Sequence, residues 1–258
     1  MIDIQNVCKI YGHKQVLNNI NLALPLHQVT ALIGPNGAGK STLLMILARL
    51  LAPTSGSILL DKQDIGRIRI ADYARLVATL RQSPCFGLRL TVRELVSFGR
   101  FPYGHGLLSA KDHQLIDEAL DFLGLNALCD VYLDELSGGQ RQMAFLAMTI
   151  AQETRILLLD EPLNNLDMKH AVQIMAAVRR LCEEQQKTVI MVVHDINFTA
   201  NYADYIVALK QGQVSFSGAT REVITEERLS ELYGLNFEIS HNKHGYVCQY
   251  FHSLKGET

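Results

Sequence analysis

Residues 34–42 read GPNGAGKST, a run of small residues that closes on Lys40, Ser41 and Thr42. The apolar stretch VTALIG before it (Val29 to Gly34) stops at glycine as a buried strand does. STLLMILARLL follows, with Leu43, Leu44, Ile46 and Leu47 on the inward face of a helix. Strand, glycine-rich turn and helix in that order constrain the chain strongly. Gly34, Pro35, Asn36, Gly37, Ala38 and Gly39 let the backbone wrap closely around a phosphate, where successive N–H groups and a helix N-terminus point at the anion. In this pattern Lys40 reaches the β- and γ-phosphates of a nucleotide, and the Ser41 hydroxyl, with Thr42 beside it, stands where Mg²⁺ is held.

The rest of the chain fits an α/β reading. Ile2, Ile4 and Val7, then Val16, Ile20, Leu22 and Leu24, alternate as in an N-terminal antiparallel β subdomain. SILLD (57–61) and RILLLDEP (155–162) read as strands, His170 to Glu184 as a helix, and TVIMVVHD as a further strand. IVALKQGQVSFSG reads as a hairpin turning at Gln211–Gly212. Apolar runs alternating with helices imply a parallel sheet covered on both faces. Between about 83 and 150 the texture changes: VRELVSFGR, DHQLIDEALDFLGL and NALCDVYLDEL all read as helices, an α-helical subdomain inserted into the α/β core.

Composition narrows the function classes. Lys and Arg total 24 against 26 Asp and Glu, a formal charge of -2, so no basic field draws the chain to nucleic acid. The longest purely apolar run, Leu43 to Ala48, is far short of the roughly 20 residues that span a bilayer. The N-terminus carries Asp3 early and has no signal-peptide core. Cys8, Cys85, Cys129, Cys182 and Cys248 are odd in number and scattered, which argues for reduced thiols in a cytoplasmic chain.

Two further motifs carry chemistry. RILLLDEP ends an apolar strand in Asp160 and Glu161, placing one carboxylate to hold a Mg²⁺ shell and the next to face an attacking water. LSGGQ, residues 136–140, ends twenty residues before Asp160 and opens a helix with Ser137, Gly138, Gly139 and Gln140, a second anion site. One γ-phosphate does not need two such sites from one chain. Two chains head to tail would each complete the other's site.

With these motifs the chain resembles an ATP-binding cassette (ABC) ATPase over nearly all of its length. The resemblance implies a P-loop core working as an ATP-sandwich homodimer, with ATP and Mg²⁺ as ligands. Tyr11, 23 residues ahead of Gly34, resembles the aromatic residue that stacks on adenine. Gln82 resembles the glutamine that touches Mg²⁺ and relays nucleotide state to a membrane partner, with Phe86 and Leu90 near the groove that grips it. NNLD (164–167) resembles the loop that crosses the dimer interface. His194 resembles the histidine that contacts the γ-phosphate and holds the attacking water; Lys40 and Glu161 complete the implied catalytic set. Two departures stand out. Leu163 occupies a position where Thr or Ser is usual. RQMAFLAMTIAQ has Met143 and Met148 where basic residues are usual, and core packing accounts for both.

TVRELVSFGRFPYG (91–104) and the tail from Val223 resemble the cassettes that energise iron(III)-siderophore importers, with haem and cobalamin relatives close by. The implied organisation is a cassette over 1–222 and a short extension over 223–258, at the inner face of the cell membrane. The partners are integral-membrane permease subunits and, indirectly, a substrate-binding protein. A zinc or manganese importer, an exporter subunit and a soluble ABC switch are the rivals. A chromosome clamp would need a long coiled coil where only 95 residues separate Lys40 from Leu136. His241, His244, Cys248 and His252 lie in polar, extended sequence that reads as a solvated tail rather than a convergent metal site.

Overall fold

The computed structural model describes residues 1–81, 89–104, 106–243 and 245–251. The chain divides into two compact units, residues 1–67 with 190–258, and residues 68–189.

The first unit opens with β1 (Ile2–Tyr11) and β2 (Lys14–Leu24), paired antiparallel with Ile4 opposite Leu22 and Val7 opposite Ile20. Ile2, Ile4, Val7, Ile20, Leu22 and Leu24 are buried, as their alternation in the sequence predicts, but at the start of β2 it is Leu17 that is buried and Val16 is only half-buried, because the pairing shifts register between Val7 and Lys9. β3 (Val29–Ile33) is buried at every position, and α1 (Lys40–Leu47) buries Leu43, Leu44, Ile46 and Leu47. β4 (Ser55–Leu60) then pairs antiparallel with the free side of β1, and β5 (Gln63–Asp64) completes the order β2-β1-β4-β5.

The second unit begins with α2 (Ile70–Tyr73) and β6 (Val77–Leu80). Helices follow: α3 (Val92–Ser97), α4 (Phe101–Gly104), α5 (Ala110–Phe122) and α6 (Gly138–Ala151). Three of them start at reciprocal caps, Thr91 with Glu94, Ser109 with Asp112 and Ser137 with Gln140. β7 (Ile156–Asp160) runs parallel to β6, with Leu80 opposite Leu159, and α7 (Met168–Gln185) closes the unit.

The segment 91–104 owes its residue pattern to packing. Arg100 is 3% exposed; its Nε donates to Asp112 Oδ1 at 2.7 Å and a terminal nitrogen donates to the Ala151 carbonyl at 2.7 Å. Tyr103 donates its hydroxyl to the Gln152 carbonyl at 3.0 Å, with the Arg100 guanidinium 4.0 Å from its ring centre. Asp112 also accepts from the Ser109 hydroxyl and backbone. With Arg100, these bonds pull its carboxyl down to about 2.

The helix read over NALCDVYLDEL does not form. Two single 3₁₀ turns, Asn126–Leu128 and Leu133–Glu135, stand there instead. The cause is backbone pairing across to a neighbouring segment: Val92 N–H donates to the Val131 carbonyl and Leu133 N–H to the Leu90 carbonyl. Those groups are satisfied between segments rather than along a helix.

Within β8 (Thr188–Val192) the chain passes from the second unit to the first. There α8 (Ile196–Tyr202) leads to β9 (Tyr205–Lys210), parallel to β3 with Ile33 opposite Ala208, and to the antiparallel β10 (Gln213–Ala219). Gln211 and Gly212 both adopt positive φ, as a tight two-residue hairpin turn requires. α9 (Thr220–Val223), α10 (Glu226–Tyr233) and the hairpin β11 (Glu238–Asn242) and β12 (Gly245–Gln249) end the described chain.

The solvated tail read around His241 and Cys248 holds for the exposed β11 but not for Cys248, which is buried. Leu229, Leu232, Phe237 and Cys248 are buried, because α10 is amphipathic and β12 packs beside α8. His241 is exposed against the Tyr246 ring, and His244 and His252 lie outside the described residues. Among the described residues no group of three or more His, Cys, Asp or Glu side chains gathers as a metal site. No described helix is long and apolar enough to cross a membrane.

Candidate active site

In the first unit the phosphate-loop residues connect β3 to α1. Gly34 leaves the strand with φ 135°, and a Cβ there would lie 2.0 Å from the Leu209 carbonyl oxygen on β9. Only glycine lets the loop turn this close to the sheet. Further along, Ala38 N–H donates to the Pro35 carbonyl and the Ala38 carbonyl accepts from Gly212 N–H, both at 3.2 Å. The β9–β10 turn thus supports the loop from beneath.

Asn36 and Gly37 are exposed at the crest, Ala38 and Gly39 are buried, and Ser41 and Thr42 are half-buried in the first turn of α1. That turn has no acidic side chain, so the positive end of the helix is left for an external anion. Lys40 is 5% exposed, and its Nζ donates to the Gly34 carbonyl at 2.7 Å and the Pro35 carbonyl at 3.0 Å. The loop curls around its own ammonium. Phosphate oxygens are stronger acceptors for that charge than neutral carbonyls.

His194 is exposed just beyond β8. Its neighbours fix its backbone: Val193 N–H donates to Leu32 of β3 at 3.2 Å, and the Asp195 carboxylate caps α8 by accepting from Asn197 and Phe198 N–H. Through Val193 the histidine follows a backbone pairing two residues before Gly34. Tyr11, exposed, ends β1, with Lys9 Nζ 5.2 Å from its ring centre.

In the second unit Asp160 is half-buried at the end of β7, next to Glu161. Glu161 adopts φ 51°, a left-handed conformation that costs on the order of 1 kcal/mol or more for a residue with a Cβ. Asn164 holds it there, donating its side-chain amide to the Glu161 carboxylate and its backbone N–H to the Glu161 carbonyl. Ser137 caps α6, its hydroxyl accepting from Gln140 N–H while Gln140 Oε1 accepts from Ser137 N–H. Hydroxyl, amide and helix N-terminus are locked together, again with no acid in the first turn.

The LSGGQ turn and the NNLD loop meet within this unit. A Cβ on Gly139 would be 2.3 Å from the His170 ring, and one on Gly138 would be 3.8 Å from the Asn165 carbonyl. His170 is itself fastened, its Nδ1 and its backbone N–H each 2.8 Å from Asp167 Oδ1. Those bonds hold the Asp167 carboxyl below its ordinary value.

Gln82 and Phe86 lie outside the described residues, and Leu90 is half-buried beside them in sequence. Met143 is buried and Met148 half-buried on α6, in line with a packing role. Sequence reasoning missed His170 and, within the NNLD loop it named, the hold of Asn164 on Glu161, both of which depend on loop geometry. It also missed Tyr233, 199 residues from Gly34, whose hydroxyl accepts from Gly34 N–H at 3.3 Å. Burial pushes that hydroxyl up to about 12, so it stays neutral. No local spacing signals such a contact.

Residues 17–164 match the family model described as ABC transporter. The petrobactin import ATP-binding protein YclP of Bacillus subtilis is 48% identical over 239 residues, 93% of this chain and 95% of that protein. The iron(3+)-hydroxamate import ATP-binding protein FhuC of the same organism is 39% identical, over 89% of this chain and 86% of that protein. Among solved structures, an inward-facing transporter described as metal-chelate type aligns with TM-score 0.84 and 26% identity, over 98% of both chains. The dimeric cassette MJ0796 with ADP and phosphate aligns with TM-score 0.76 and 30% identity, over 86% of this chain and 99% of that one. On both the family model and these relatives, the chain belongs to the ABC transporter family, as an ATP-binding cassette.

Proposed function

We propose that this chain is the ATP-hydrolysing subunit of an importer for iron(III)-siderophore complexes. The observation that carries the ATPase reading is the loop of Gly34 to Thr42, curled around the buried Lys40 ammonium at the uncompensated N-terminus of α1. The cargo reading rests on the petrobactin and iron(3+)-hydroxamate import proteins to which the chain is similar.

The chemistry follows from charge. Phosphoryl transfer to water needs its developing negative charge neutralised and the water held in line. Lys40 and the free N–H groups of the loop take up the phosphates, with Tyr11 against the base. Ser41, Gln82 and Asp160 would hold Mg²⁺, an oxygen-donor set suited to a hard cation, which would supply further positive charge against the phosphates. Glu161 accepts the proton of the attacking water and His194 orients that water. Ser137, Gly138, Gly139 and Gln140 serve the nucleotide of a second copy, whose own signature turn returns the contact, in an ATP-sandwich homodimer. The organisation that goes with this is a cassette over 1–222, with its helical subdomain at about 83–150, and an extension over 223–258. It would work at the inner face of the cell membrane against permease subunits, with a substrate-binding protein beyond them.

A tagged Glu161→Gln variant, loaded with ATP and used to capture partners from detergent-solubilised native membranes, tests the transport reading. Recovery of a multi-helix permease together with a siderophore-binding protein is expected. An exporter-type permease would overturn the cargo, and soluble partners alone would overturn transport.

A further inference from the structure

We propose that the extension after Val223 is a positioning element of the ATP site, with the Tyr233 hydroxyl setting the start of the phosphate loop. This rests on the ATPase reading above.

The extension grips the site's scaffold at two places. At the first, Tyr233 at the end of α10 accepts from Gly34 N–H at 3.3 Å. Gly34 is the residue at which the chain must leave β3, and its carbonyl is one of the two that hold Lys40 Nζ. One peptide group after another therefore links the phenol to the ammonium. Lys210, beside the same loop-supporting turn, also donates its ammonium to the Glu231 carbonyl of α10. At the second place β12 is clasped by α8. Asn197 accepts from Cys248 N–H at 2.8 Å and donates to the Cys248 carbonyl at 3.2 Å, while Asn201 accepts from Tyr246 N–H at 2.8 Å and donates to its carbonyl at 2.9 Å. Asn197 stands three residues after His194 and is held by the Asp195 cap.

The two grips are joined by ring contacts. Tyr233 packs on Phe237 at 5.9 Å between centres, and Phe237 packs on Tyr250 at 5.3 Å, just beyond β12. A buried donor that loses its acceptor must find another or shift. Without the phenol, Gly34 N–H lacks its partner in the part of the loop that has least room to move, since the Leu209 carbonyl blocks it on one side. The consequence falls on phosphate binding more than on global stability.

The test compares Tyr233→Phe, which removes one oxygen and keeps the ring, with Thr220→Val. Thr220 donates its hydroxyl to the Ala203 carbonyl in the same unit, a bond that involves no loop residue. Binding of a fluorescent ATP analogue, steady-state ATPase activity, thermal melting and hydrogen–deuterium exchange of the peptide spanning Gly34 are measured on the full chain. Tyr233→Phe is expected to weaken nucleotide affinity about fivefold to tenfold and to speed exchange around Gly34, with a melting shift no larger than that of Thr220→Val. Thr220→Val is expected to keep wild-type nucleotide affinity. Equal affinity and exchange in Tyr233→Phe and wild type would overturn the proposal, as would equal losses of affinity in both variants. Failure of the wild type to bind the analogue at all would instead overturn the ATPase reading.

Discussion

The His170 ring occupies the space that a side chain on Gly139 would need: a Cβ there would approach it to 2.3 Å. Because Asp167 holds the ring at Nδ1 and the backbone at its N–H, the imidazole cannot swing away without breaking the Nδ1 bond. The signature turn and the NNLD loop are thereby tied through one glycine and one imidazole.

Gly139→Ala should therefore displace His170 and the Asp167 cap together. Overpacking of this kind costs about 1–3 kcal/mol. Thermal melting should fall by several degrees and phosphate release should drop about tenfold or more, since the second anion site shifts with the loop. The double variant Gly139→Ala, His170→Ala should recover much of the melting loss; a single variant with wild-type melting and turnover would count against the packing account.

Gly34→Ala meets backbone rather than a ring. The Leu209 carbonyl cannot yield, so the loop must open. Nucleotide affinity is expected to fall by about two orders of magnitude in an equilibrium titration, equivalent to roughly 3 kcal/mol. Affinity within twofold of wild type would mean that the loop start does not govern phosphate binding.

The buried pair of Arg100 and Asp112 predicts an acid-sensitive helical lobe. The folded-state value of Asp112 is about 2, below its ordinary 3.8, so the unfolded chain binds this proton more readily. The stabilisation is fully present above about pH 4 and is lost as pH falls from there toward 2. Denaturant melts of wild type should weaken over that window. Asp112→Asn should be less stable at neutral pH by about 3 kcal/mol, because the buried Arg100 loses its nearest counter-charge and keeps only the more distant Glu153, and should lose this part of the pH slope. Parallel slopes in the two proteins would contradict the assignment.

Much of this was legible in the sequence because it is local. The strand–loop–helix around Lys40 and the strand ending at Asp160 each declare themselves within a dozen residues, and so does the turn at Gln211–Gly212. What escaped is what depends on distant partners. The segment 126–136 has helical composition, yet its backbone pairs with 90–92. Nothing local to Arg100 shows that Asp112 and the Ala151 carbonyl enclose it. The stretch around His241 and Cys248 reads as polar and extended, and only the packing of β12 beside α8 shows that Cys248 is buried.

Lys40→Ala separates binding from chemistry. Removing the ammonium takes the Lys40 bond from the Gly34 and Pro35 carbonyls and the counter-charge from the phosphates. ATP affinity should fall at least about tenfold by calorimetry. Unchanged affinity would remove the loop from nucleotide binding.

The most direct test of the central claim is ATP turnover by Glu161→Gln beside wild type, with ATP-dependent dimerisation followed by size-exclusion chromatography. Glutamine cannot take a proton from water but keeps the shape of the side chain and an acceptor for the Asn164 amide. The variant should bind ATP, dimerise and release phosphate at least about a hundredfold more slowly than wild type. Turnover at the wild-type rate would contradict Glu161 as the base, and with it general-base hydrolysis at this site.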